Sequence, residues 1–206
     1  VRIGRLRKPM IISTGMSTPE EIRRTYDILS QADVPLAFTN CISEYPPNYE
    51  DINLNFISEM QKLFPDTVIG HSDHTPDLYT SFGAVTLGAN IIEKHVILDK
   101  KLQAPDQPVS IDFNDLYHLV DGIRKLESAL GNQKKVHPEE EQTRMWAFRS
   151  LVTKCPIKKG QRIEEDMIWS KRPGTGIPAY RMKEVIGRYA AQDIDENVLL
   201  KEEDFH

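Results

Sequence analysis

Short apolar runs alternate with amphipathic stretches from Pro9 to Leu130. Pro9–Ile12 reads as a buried strand that ends at Ser13, Thr14 and Gly15. Ser17 or Thr18 then caps a helix, with Pro19 in its first turn and Glu20 and Glu21 near its positive end. Ile22, Tyr26 and Leu29 supply the apolar face of that helix. Val34–Thr39 reads as a second strand and Asp51–Phe64 as a second helix, stopped by Pro65. Thr67–Gly70 is a third strand and Pro76–Leu87 a third helix. Ile91–His95 is a fourth strand and Asn114–Leu130 a fourth helix.

Four βα units in series imply a parallel sheet with right-handed crossovers. An open doubly wound sheet and part of a (β/α)8 TIM barrel both fit. No GxGxxG or P-loop follows a strand, so the nucleotide-binding forms have no support. Four units do not close a barrel that needs eight, and a half-barrel would leave two sheet edges open. The chain opens on Val1 and VRIGRLRKP holds no start signal. The expectation is a chain that begins partway through a barrel.

The pattern changes after Gly131. Residues 132–147 are polar, carry Glu139, Glu140 and Glu141, and read as a linker with a helical end. From Arg149 the periodicity becomes short and strand-like, with a turn at Lys158–Gly160 and dense turn residues. Residues 148–206 therefore read as a small β-rich module.

Composition narrows the function classes. The charged fraction of 28% and the absence of a long apolar run favour a soluble globular protein over a membrane span. A net charge of -5 argues against general nucleic-acid binding, which needs a basic patch. Cys41 and Cys155 are far apart and outside any CxxC pair, so neither a disulfide framework nor a zinc site is expected, and a reducing cytoplasm fits.

In βα folds function collects at the C-terminal ends of the strands. Those ends carry Ser13-Thr14-Gly15, then Asn40 to Pro46, then Gly70 to Thr75, then Glu93-Lys94-His95. His74 and His95 end consecutive strands, which a parallel sheet holds about 4.8 Å apart. Two imidazoles there could hold a divalent metal with open positions; the plain alternative is one capping and one core histidine. His71 competes but reads as outward-facing or supporting. Ser13, Thr14, Ser43 and Ser72 could donate to phosphate or carboxylate oxygens, or simply cap helices. Asp73 reads as a carboxylate that orients an imidazole, or as a cap. Lys94 could neutralise an anion. Asp106, in the loop LDKKLQAPDQPVS, could bind sugar hydroxyls or be an ordinary solvated loop acid. Arg172, in the loop Lys171–Gly176, suits a polar ligand or a solvated turn.

Five motifs in order resemble one family: STGM at Ser13–Met16, YP with YEDINL at Tyr45–Leu54, IGHSDHT at Ile69–Thr75, GANIIEKH at Gly88–His95 and KRPGTG at Lys171–Gly176. The chain is similar to the sialic acid synthases, which include N-acetylneuraminate, legionaminate and pseudaminate synthases and a spore-coat polysaccharide protein. The resemblance implies an α/β fold: strands five to eight of a TIM barrel over residues 1–131, a linker over 132–147, and an antifreeze-like (SAF) domain over 148–206. It implies a transferase that condenses phosphoenolpyruvate with an N-acyl amino sugar of the N-acetylmannosamine type, releasing phosphate. His74 and His95 would be the ligands and catalytic centre of a bound Mn2+ or Mg2+. Ser13 and Ser72 would contact phosphoenolpyruvate, as would Ser43, where some members carry Asn. Tyr45, Asp106 and Phe148 would line the sugar site. Arg172 would reach the sugar in a homodimer whose antifreeze-like domain covers the partner's active site. The loop reads APDQPVSID where many members have a GPDH-x-x-SLEP-like pattern, which leaves the sugar open. The phosphoenolpyruvate-clamping lysines of such enzymes lie in the first half of the barrel, so the isolated 206-residue chain is expected to have little or no turnover. Two other readings stay open: a different metal-dependent barrel aldolase or 3-deoxy-sugar-acid synthase, and an inactive fragment that only binds.

Overall fold

The computed structural model describes residues 3, 6–32 and 34–206. Val1, Arg2, Gly4 and Arg5 of the opening segment VRIGRLRKP lie outside the described residues. The chain divides into two compact units, residues 1–132 and 133–206.

The first unit is a parallel sheet in chain order. It runs β1 (Met10–Ser13), α1 (Pro19–Leu29), β2 (Leu36–Cys41), α2 (Phe56–Leu63), β3 (Val68–Asp73), α3 (Tyr79–Thr86), β4 (Ile91–Lys94) and α4 (Phe113–Ala129). Each strand pairs in parallel with the next, the arrangement of four successive strands of a TIM barrel. Phe38 of β2 and Ile69 of β3 pack with Ile22, Ile57, Met60, Phe64 and Ala84, so this face is covered by helices. Alternation along the strands sends Thr39, Cys41, Gly70 and Ser72 to the opposite face.

Local chemistry sets the boundaries. Thr18 is the cap of α1: its hydroxyl accepts from Glu21 N at 3.3 Å, and Glu21 Oε2 accepts from Thr18 N at 2.8 Å. The expected helix over Asp51–Phe64 is shorter. A 3-10 turn covers Tyr49–Asp51, Asn53 takes a left-handed φ of 50°, and α2 starts only at Phe56. The third helix also starts late, because the Asp77 carboxylate accepts from Tyr79 N at 3.1 Å and holds a turn first. Asp112 caps α4 by accepting from Asp115 N at 2.9 Å. A Cβ on Gly70 would sit 2.5 Å from Ile91 O, so β3 approaches β4 there only because the residue is glycine.

The second unit opens with α5 (Pro138–Ala147), where the sequence indicated a linker with a helical end. Pro138 at its start and three glutamates in its first turn favour the helix. The antiparallel pair β5 (Ser150–Thr153) and β6 (Ile168–Lys171) follows, then a short α6 (Met182–Val185) and several isolated bridges. Leu151, Ile157, Ile163, Ile168, Ile177, Val185 and Leu200 close its core.

Candidate active site

His74 and His95 meet at the ends of β3 and β4. The register pairs Ser72 with Glu93 and Asp73 with Lys94, so the two histidines follow one step later. Their ring centroids are 5.2 Å apart with planes at 70°. Tyr45, from the loop after β2, stacks on His74 at 4.1 Å and meets His95 edge-on at 5.7 Å. His74 is buried at 6% exposure, while the His95 side chain keeps 27%. One imidazole is therefore fixed in the protein and the other borders solvent.

Each ring has one nitrogen engaged. His74 Nδ1 lies 2.8 Å from the Ile42 carbonyl, which sets Nδ1 as the donor and leaves the Nε2 lone pair free. Cys41 Sγ is 3.9 Å from the same nitrogen. His95 Nδ1 faces Asp106 Oδ2 at 3.4 Å. An imidazole held through one nitrogen by an oxygen acceptor is the arrangement that prepares the other for a metal. The pair thus fits a divalent ion as two nitrogen ligands. Among the described residues no group of three or more His, Cys, Asp and Glu side chains converges.

The remaining expected residues fall in two places. Ser72 is buried on the open face of β3, two residues before His74. Ser13 ends β1, and Ser43 follows β2. A Cβ on Gly15 would strike Ser43 Oγ, so glycine lets the loop after β1 close on that serine. Asp106 lies beside His95 as described. Phe148 and Arg172 belong to the second unit. Arg172 Nε donates to Ala147 O at 3.0 Å, and its guanidinium lies 5.3 Å from the Trp146 ring centre. Phe148 ends α5 under Arg144, and Gly174 packs so closely that a Cβ would come within 2.6 Å of Phe148 Cβ.

Three sequence expectations change. Lys94 is not placed for an anion on the open face. It is buried on the helix side and paired with Asp73 at 3.0 Å. Asp73 makes no hydrogen bond to an imidazole; its carboxylate accepts from Thr75 N, Thr75 Oγ1, Thr80 Oγ1 and Ser81 Oγ. His71 bonds the Asn40 carbonyl through Nδ1 at 3.0 Å, and its Nε2 is buried without a partner. Burial drives the His71 pKa down, so the neutral ring is the form the fold accommodates.

Burial also pushes Lys94 down, with Asp73 opposing it. At Asp73 burial works the other way, yet Lys94 and the hydroxyl and amide donors outweigh it and hold the carboxyl below its usual range. Tyr45 is raised, by partial desolvation first and then by Cys41, Asp106 and Glu93. The phenol therefore stays protonated near neutral pH. Glu93 and Cys41 border the site and were missed in the sequence; counting two residues back from His95 and from Ser43 would have put both on the open face.

Barrel-type βα units that gather imidazoles and hydroxyls at their strand ends define an enzyme-like site. Residues 1–135 match the NeuB family and residues 148–206 the SAF domain. The chain belongs to the NeuB family. It is 37% identical to pseudaminic acid synthase of Campylobacter jejuni over 204 residues, covering 98% of this chain and 59% of that protein. It is 34% identical to human N-acetylneuraminate-9-phosphate synthase, covering 95% of this chain and 55% of that protein. The chain thus spans little more than half the length of these relatives. Among solved structures, the spore coat polysaccharide biosynthesis protein of Bacillus subtilis superposes with a TM-score of 0.58 at 30% identity, covering 99% of this chain and 63% of that one.

Proposed function

We propose that this chain carries the metal-binding part of a synthase site that joins phosphoenolpyruvate to an N-acyl amino sugar, forming a nonulosonic acid and phosphate. The observation that carries the reading is the convergence of His74 and His95, ring centroids 5.2 Å apart, with Tyr45 stacked against them. The names of the relatives, pseudaminic acid synthase and N-acetylneuraminate-9-phosphate synthase, support the synthesis of a nonulosonic acid.

His74 and His95 would hold Mn2+ or Mg2+, an ion that supplies Lewis-acid polarisation of the sugar aldehyde when bound. The hydroxyls of Ser13, Ser43 and Ser72 donate to phosphoenolpyruvate oxygens. Tyr45 presents a protonated phenol to the sugar, and Asp106 accepts from its hydroxyls. Phe148 contributes to the sugar site, and Arg172 reaches the sugar from the antifreeze-like domain of the partner in a homodimer. The new bond joins C3 of phosphoenolpyruvate to the aldehyde carbon. Water adds at C2 and gives up a proton, balancing the one taken up by the former aldehyde oxygen. The C–O bond to phosphate then breaks, and the C2 hydroxyl proton leaves with the phosphate as the carbonyl forms. Holding two reactants in line contributes about 7–11 kcal/mol in favourable cases. A substrate drawn from central metabolism fits a cytoplasmic setting; among the described residues, no helix is long and apolar enough to cross a membrane.

The test has two stages. Mn2+ is titrated into the chain and into His74→Ala and His95→Ala; undiminished binding in both variants sinks the metal assignment. Phosphate release is then assayed in a chimaera that restores the part of the Campylobacter jejuni relative this chain does not cover. Release with N-acetylmannosamine, and none with erythrose or arabinose phosphates, supports the sialic-acid type over a 3-deoxy-sugar-acid synthase. Ligand binding without product in that chimaera would favour a binding module instead.

A further inference from the structure

Asp73 and Lys94 are register partners on β3 and β4, and each immediately precedes one of the two histidines. Their ion pair is closed off from solvent, with side-chain exposures of 0% and 2%, on the face opposite the imidazoles. Lys94 Nζ reaches Asp73 Oδ2 at 3.0 Å, Thr75 O at 2.5 Å and Thr75 Oγ1 at 3.2 Å. Asp73 Oδ1 accepts from Thr75 N and Thr75 Oγ1, both at 2.8 Å. Its Oδ2 accepts from Thr80 Oγ1 at 2.8 Å and Ser81 Oγ at 2.6 Å. The backbone is therefore tied on both sides of His74, at residues 73 and 75, and directly before His95. The same bonds anchor that point to α3.

We infer that the buried Asp73–Lys94 pair is a clamp that sets the spacing of His74 and His95. Asp73 and Lys94 are positioning residues; neither touches substrate. A strand slip of one residue would turn a histidine to the wrong face. The clamp fixes the register at the residue where such a slip would do most harm. Removing two charges from water is costly, and apolar replacement of such pairs is often neutral or stabilising. A fold needing only stability at this point has a cheaper solution, so the pair serves to specify geometry. The link to metal binding rests on the reading of the two histidines as ligands.

The experiment uses the whole chain with Lys94→Met, Asp73→Asn and the double variant, each read by thermal midpoint, Mn2+ affinity and imidazole NMR. Lys94→Met leaves a buried unpaired carboxylate and is expected to lower the midpoint most. The double variant removes that charge and is expected to recover most of the midpoint. Its Mn2+ affinity is expected to stay about 10–100-fold weak, the usual cost of losing the groups that orient ligands. Wild-type affinity in the double variant would overturn the clamp. The metal-free NMR arm separates this failure from that of the ligand reading. The His74 and His95 ring signals are expected to shift or broaden in the double variant, with those of His118, His137 and His206 unmoved. If Mn2+ does not bind the wild type, the ligand reading fails and the ring signals alone decide the clamp; unchanged signals overturn it.

Discussion

Both units bury polar groups, but to different ends. In the second unit the buried polar side chains tie loops together. Ser150 Oγ donates to Pro173 O and accepts from Gly176 N, both at 2.8 Å. Thr153 Oγ1 donates to Asp195 O at 2.6 Å and accepts from Val198 N at 3.0 Å. Asp204 accepts from Lys201 N and Gln192 Nε2, both at 2.7 Å. Each satisfies backbone or neighbouring groups around an aliphatic core. In the first unit the buried polar residues Asn40, His71, Ser72, Asp73, His74 and Thr75 crowd the ends of β2 and β3. There Asp73, Lys94, Thr75, Thr80 and Ser81 bond to one another on the helix side and His71 keeps its Nε2 buried without a partner, while His74 has a ring nitrogen free on the open side. Polar burial that closes on backbone is structural; an imidazole held through one nitrogen, with the other free on the open side of the strand ends, is poised for a ligand.

The contrast is exposed by four perturbations, in descending order of effect. His74→Ala and His95→Ala each weaken Mn2+ binding by more than about 100-fold, beyond the cost of losing a ligand's supporting partner, with circular dichroism unchanged. Titration calorimetry checks this. Ile157→Ala opens a cavity in the core of the second unit and costs about 2–5 kcal/mol in denaturant unfolding; a cost below about 1 kcal/mol would mean that core is not closely packed. Thr18→Ala removes the cap of α1 and costs about 1 kcal/mol, with Mn2+ affinity unaltered. A large change in that affinity would show that α1 positions the site.

The smallest effect is a pH slope. The folded-state pKa of His71 lies below its unfolded value of about 6.5. Between those two values the unfolded chain binds more protons, so stability rises with pH there. The His71 contribution is complete above about pH 6.5, declines as pH falls through that window, and levels off below the folded pKa. Thermal midpoints of metal-free protein from neutral to mildly acidic pH should show this slope, and His71→Gln should remove it.

The order of strands and helices was legible because each apolar run is short and flanked by turn residues. Element starts were less so. Nothing in the pattern over Asp51–Phe64 marks Asn53 as left-handed, and that conformation delays α2. The helix α5 was obscured because its residues are exposed or half-buried, which erases the apolar stripe that announces a helix. The convergence of His74 and His95 was readable from strand order alone. The roles of Asp73 and Lys94 were not. Charged residues beside a site read as solvent-facing or ligand-facing, whereas alternation turns both to the helices, where they satisfy each other. Arg172 stood out in its basic, glycine-rich loop, whereas Phe148 was singled out only through family resemblance; neither patterning nor spacing marked it.

Pulsed electron paramagnetic resonance of Mn2+ added to the chain, read for coupling to imidazole nitrogen, tests the assignment of His74 and His95 as metal ligands. Two imidazole nitrogens are expected to couple to the ion, reduced to one in His74→Ala and in His95→Ala. Bound Mn2+ with no nitrogen coupling, or coupling unchanged by either substitution, would contradict it.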